Sequence, residues 1–145
     1  MTKTDNRTNG GRFEQEFSHL LANDGFWVHV CQQNKDGQPA DIIAAKGKFH
    51  TLIDCKVISD EKKGFTFDRV EDNQRYAMRM FTRRCNELCY FALKLPDDRV
   101  RLVSLNRIET LESRGNKGIT MRMMDTETWG LEAWLEATDD WGADI

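Results

Sequence analysis

Pro39-Ala40-Asp41-Ile42-Ile43-Ala44-Ala45-Lys46-Gly47-Lys48-Phe49-His50-Thr51-Leu52-Ile53-Asp54-Cys55-Lys56 is the stretch that decides the fold of this chain. Asp41 opens an apolar run, Ala40 to Ala45, that suits a strand buried on both faces. Lys46-Gly47-Lys48 turns the chain, and Phe49 to Lys56 returns as the partner strand. Side chains alternate across a strand, so Asp54 and Lys56 share a face and Cys55 takes the other. Two carboxylates and an ammonium then converge at one end of a hairpin. Hard divalent cations take oxygen ligands, and a positioned amine beside them suits metal-dependent cleavage of a phosphodiester.

On the N-terminal side, Phe13, Phe17, Leu20 and Leu21 fall at helical spacing from Arg12 to Asn23, and Asp24-Gly25 ends that helix. Residues 1–10 are polar and read as a flexible arm. Phe26 to Cys31 is strand-like, and Gln32 to Gln38 is a polar loop. On the C-terminal side, a polar loop from Val57 to Thr66 precedes a long helix from about Arg69 to Arg84, with Tyr76, Ala77, Met80 and Phe81 on one face. Leu88 to Leu95 and Val100 to Leu105 form a hairpin about Pro96-Asp97-Asp98. Beyond Asn106 the pattern weakens, apart from a short helix over Glu127 to Ala137 with Leu131, Trp134 and Leu135 inward. The expected fold is α/β, ordered α-β-β-β-α-β-β. A mixed five-stranded sheet is flanked by the first helix on one face and the long helix on the other. Residues 11–105 form the core, and residues 106–145 a C-terminal appendage packed on it or in a dimer interface.

One domain accounts for 145 residues, and an apolar fraction of 39% supports a real core. No apolar run approaches the ~20 residues that span a bilayer, and no signal-peptide core opens the chain, so a cytoplasmic protein is expected. Cys31, Cys55, Cys85 and Cys89 lack the spacing of a zinc site and read as reduced thiols. The net charge of −3 is unevenly split: residues 1–100 hold 16 Lys/Arg against 15 Asp/Glu, and residues 101–145 hold 5 against 9. Were Glu14, Asp41 and Asp54 neutralised by a cation, the first part would be mildly basic, as attraction to phosphate requires.

Taken singly, these acids allow plainer readings. Asp41 could be a turn aspartate after Pro39. Asp54 could form a salt bridge with Lys56, but a buried pair repays its desolvation poorly, and Asp41 makes two acids for one lysine. Glu14 lies beside the apolar stripe of the first helix; Glu16 lies roughly 200° around the axis. From spacing alone, either glutamate is a solvated surface residue, and Gln74 is only a polar residue in a helix.

Gly11-Arg12-Phe13-Glu14, Pro39-Ala40-Asp41-Ile42-Ile43, Leu52-Ile53-Asp54-Cys55-Lys56 and a helical Gln74, in that order, resemble the PD-(D/E)xK nuclease superfamily. Within it the chain is most similar to the archaeal Holliday junction resolvases and the RecU-type bacterial resolvases, over about residues 10 to 105. The resemblance implies a restriction-endonuclease-like core and an endonuclease that leaves a 5′-phosphate and a 3′-hydroxyl. It implies Mg²⁺ or Mn²⁺ held by Asp41 and Asp54 with the backbone carbonyl of Cys55, and Glu14 joining directly or through water. Lys56 would orient the attacking water and offset charge on phosphorus, as base or by electrostatics alone. Gln74 would support Lys56 or hold a DNA phosphate. The chain departs from the resolvase pattern in carrying Asp54 where Glu is common, and in lacking a serine in the 32–38 loop.

Arg12, Gln33, Lys35, Lys62, Lys63, Arg69, Arg75 and Arg79 are candidate DNA contacts; ordinary solvated surface is the alternative reading of each. Resolving a four-way junction takes two symmetric nicks, so a homodimer on branched DNA is expected, in a bacterial or phage-infected cell. Two other functions stay open: a nuclease of this fold acting on flaps, ends or specific sites, and a non-catalytic module binding nucleic acid or a partner.

Overall fold

The computed structural model describes residues 3–32 and 40–143. Helix α1 (Lys3–Asn23) leads into strands β1 (Trp27–Val30), β2 (Ile42–Lys46) and β3 (Phe49–Val57). A short β4 (Phe65–Thr66) and a 3₁₀ turn (Phe67–Arg69) precede α2 (Asp72–Cys85). Then come β5 (Tyr90–Lys94), β6 (Val100–Ser104), α3 (Leu105–Ser113), β7 (Gly118–Ile119), α4 (Met124–Glu127), β8 (Trp129–Gly130) and α5 (Leu131–Gly142). The main sheet runs β1-β2-β3-β5-β6-β8, while β4 and β7 pair separately. Only β3 and β5 are parallel neighbours in that sheet; α2 is the crossover between them. The mixed α/β sandwich expected from the sequence is present, with one strand more than the five expected.

Each face of the sheet has its own core. Phe13, Phe17 and Leu21 of α1 pack on Ile42, Ala44, Ile53, Tyr90 and Leu102, joined by Trp134 of α5. Met78 of α2 packs with Leu52, Phe91, Leu93 and Val103 on the opposite face, joined by Leu105, Ile108 and Leu111 of α3. Residues beyond 105 therefore supply apolar groups to both layers and a strand to the sheet.

Strands β4, β7 and β8 and helix α4 are absent from the sequence reading, α5 runs Leu131–Gly142 rather than Glu127 to Ala137, and two larger differences concern α1 and α3. Helix α1 starts at Lys3 rather than Arg12, so the expected arm is helical; Lys3 to Gly10 contains no proline to stop a helix and no apolar spacing to announce one. Helix α3 was not expected at all. Its cap is Ser104, whose hydroxyl accepts from Arg107 N, so the last residue of one strand begins the helix directly.

The β2–β3 turn is clamped from outside the hairpin. Lys46 Nζ sits 2.9 Å from Asp24 and 2.6 Å from Asp139, over the ring of Phe26. Gly47 has φ +58°, and a Cβ there would lie 1.9 Å from the carbonyl oxygen of Gly142. Lys48 N donates to that same oxygen at 3.1 Å.

Candidate active site

The β2–β3 register pairs Ile42 with Ile53. One residue further on, Asp41 N donates to Ile53 O, and Asp41 Oδ2 accepts from Cys55 N at 2.8 Å. The side chain of Asp41 thus reaches β3 at the residue after Asp54. Asp54 is 2% exposed. Its Oδ1 accepts from Gln74 Nε2 at 2.9 Å, and its Oδ2 lies 3.0 Å from Lys56 Nζ. That ion pair is close but poorly directed: Oδ2 accepts no hydrogen bond. The alternation expected of β3 holds, with Asp54 against α2 and Cys55 in the α1 core.

Burial pushes the Asp54 carboxyl up to about 7; Lys56 opposes the rise, and the charge of Asp41 adds to it. Glu14 is likewise pushed up to about 7, by burial first and by Asp41 second. Asp41 is thus the common neighbour of two carboxyls that resist ionisation. Cys31, whose amide donates to Asp41 O at 2.8 Å, and Cys55 have thiols pushed up by burial and by these same acids. All four cysteines are free.

A buried carboxylate with one lysine on its second oxygen, beside a second carboxylate, is a donor set that a hard divalent cation would satisfy. The residues present fit Mg²⁺ or Mn²⁺. The expected three-acid set is not preassembled, however. Among the described residues no three His, Cys, Asp or Glu side chains converge as a metal cluster. Asp41 and Asp54 come together at β3, and Glu14 reaches them by charge from the neighbouring helix.

Gln74 serves a different partner from the Lys56 or phosphate expected of it. Its Nε2 goes to Asp54, while its Oε1 accepts from Glu71 N at 3.3 Å as half of a capping box at the start of α2. Glu71-x-x-Gln74 is a readable helix-start pattern, and it fixes which end of the amide faces Asp54. Arg69 lies closer to the chemistry than its sequence showed. Its Nη1 donates to Val57 O at 3.0 Å; burial lowers its pKa and Asp54 raises it.

Arg75 and Arg79, expected to face DNA, have carboxylate partners on α3. Arg75 bonds Glu112 and Glu109, and Arg79 bonds Glu109. The carboxylates of α3 thereby take up the charge expected to face phosphate, and the two arginines tie α2 to α3. Lys62, Lys63 and Arg12 are exposed, and Lys62 N donates to Asp60 Oδ1 in the loop before β4. Gln33 and Lys35 lie outside the described residues.

The model of the family described as archaeal Holliday junction resolvase (hjc) matches residues 5–140. This chain belongs to the archaeal Holliday junction resolvase family. Membership makes it a nuclease of the Holliday junction resolvase kind, and it extends the family fold through α5, a region the sequence motifs did not reach. Hjc from Archaeoglobus fulgidus, a Holliday junction resolvase from an archaeal hyperthermophile, has a solved structure similar to this one. The TM-score is 0.64 and the identity 21%, over 88% of this chain and 98% of that one. At that identity the likeness establishes the shared fold. Compared by sequence with curated proteins, the chain matches none.

Proposed function

We propose that this resolvase-family chain is a divalent-cation-dependent endonuclease that nicks branched DNA, acting as a homodimer. One observation carries the reading: Asp54 is buried, with Lys56 alone facing its second oxygen and a second carboxylate, Asp41, beside it. Two carboxyls share one ammonium there, an excess of negative charge that a cation would offset.

Asp41 and Asp54 would hold Mg²⁺ or Mn²⁺, with Glu14 and the Cys55 carbonyl as further oxygen donors. When bound, such a cation polarises the phosphodiester and makes the attacking water more acidic. Gln74 keeps Asp54 in one orientation through its own anchored amide. Lys56 brings a positive charge to the face where negative charge accumulates on the phosphoryl oxygens. Arg69 adds a second cation near Asp54, held by the Val57 carbonyl. Symmetric nicking of a four-way junction needs two such sites, which a two-fold dimer supplies.

The test is a gel assay on four-way junction, flap and linear duplex, each with Mg²⁺ and with EDTA. Paired nicks in the junction, in Mg²⁺ only, are expected. Equal cutting of linear duplex would remove the branch selectivity, and binding without any cut in Mg²⁺ or Mn²⁺ would remove the enzyme.

A further inference from the structure

A cavity of about 300 Å³ opens where the parallel strands β3 and β5 end, beside the middle of α1. It lies outside the cation site, at the edge where the two cores meet, with Phe13 from one and Leu95 from the other. Phe13, Val57, Leu95 and Pro96 give it apolar walls, and Arg12 and Ser59 stand at its rim. It adjoins the active site through two segments of chain: Val57 follows Lys56, and Phe13 precedes Glu14. The crevice beyond the carboxyl ends of parallel strands is where open α/β sheets take their ligands.

Its rim carries both signs of charge. Lys94 and Asp98 also line it, and Lys94 Nζ, 3.2 Å from Glu16 and 3.9 Å from Asp98, is taken up by two carboxylates. Arg12 has no carboxylate partner among the described residues, which leaves one unpaired fork-shaped cation beside a cleft of mixed polar and apolar walls. That combination matches a single nucleotide, with its phosphate on the guanidinium and its base against the apolar wall. The volume lies at the small end of ligand pockets and is too narrow for a base pair. A base in continuous duplex is stacked and paired, so only one already freed at a branch enters without the full cost of unstacking.

Resting on the endonuclease reading above, we propose that this cavity receives one unstacked nucleotide next to the cleaved bond. Recognition of the branch would then reside partly in a pocket outside the cation site. The test uses four-way junctions carrying 2-aminopurine at each position flanking the nick, bound in EDTA. The expected result is a change in emission on binding at one flanking position. Ser59→Trp, which fills the cavity from an exposed position, abolishes that change and weakens junction binding about tenfold, the scale of one lost stacking contact. Arg12→Gln weakens junction binding similarly, and by more than it weakens binding of linear duplex. Binding and Mg²⁺-dependent nicking with no emission change at any position, or a change that survives Ser59→Trp, overturns the pocket and leaves the endonuclease standing. Failure to bind or cut any DNA overturns both.

Discussion

Gln74 and Asp54 lie 20 residues apart in sequence and 2.9 Å apart in space, and the amide that joins them is also part of a helix cap. The cap and the acid are therefore coupled: whatever loosens the start of α2 loosens Asp54. Gln74→Ala is expected to lower Mg²⁺ affinity ten- to a hundredfold, the scale of losing a partner that orients a metal ligand. A Mg²⁺ titration of junction cleavage reads this directly. A wild-type half-saturation point would show that Gln74 is only a cap.

Asp54→Asn and Lys56→Ala are each expected to reduce cutting to background. Junction affinity should stay within about twofold, because phosphate contacts spread across the surface dominate binding. Gel shift in EDTA and single-turnover cleavage in Mg²⁺ separate the two effects. Wild-type cutting by either variant would refute the assignment of the site.

Stability without cations should fall as pH rises. Asp54 and Glu14 titrate near pH 7 in the folded chain, above their ordinary values of 3.8 and 4.5. Between about pH 4 and pH 7 the folded state thus holds protons that the unfolded chain has released, and the slope of unfolding free energy with pH is negative there. Their stabilising contribution is complete in acid and lost as pH passes about 7. Thermal melts in EDTA at pH 5 and pH 8, with Asp54→Asn as the flattened control, check the sign. Added Mg²⁺ should stabilise the protein more at pH 8 than at pH 5.

Arg79→Ala is expected to leave junction affinity and its salt dependence unchanged, since Glu109 already holds that guanidinium. The effect should appear in acid instead. Glu109 is held below its ordinary 4.5, chiefly by Arg79, so its contribution is present above that pH and lost as pH falls through the folded value. Acid unfolding of Arg79→Ala should begin at higher pH than in the wild type. A reduced salt slope for DNA binding would restore Arg79 as a phosphate contact.

Trp134 is fully buried, stacked on Phe26 at 6.0 Å and edge-on to Phe49 and Tyr90. Trp134→Ala should cost about 3–5 kcal/mol. Trp129→Ala, at a half-exposed position, should cost far less. Denaturant titrations compare the two.

The hairpin that carries Asp41, Asp54 and Lys56 was legible because a strand has only two faces, and the alternation of residues 52–56 leaves no freedom. The inward face of α5 was legible for the same kind of reason, through the spacing of Leu131, Trp134 and Leu135. Helix α3 escaped because its first residue, Leu105, also completes an apolar strand pattern, although Leu105, Ile108 and Leu111 repeat every three residues. Strands β4, β7 and β8 are two residues each, too short for any periodicity. The partner of Gln74 was hidden because nothing in local spacing says which acid a capping glutamine faces. The pairing of Arg75 and Arg79 with α3 depended on a helix the pattern did not reveal.

The contact of Gly47 with Gly142 ties assembly of this enzyme to the order in which it is made. The turn between the two acidic strands emerges early from a ribosome, yet its last neighbours arrive almost a hundred residues later. A nascent chain can pair the two strands but cannot brace their turn. Full bracing of the strand pair that carries Asp41 and Asp54 thereby waits until residue 142 has been made.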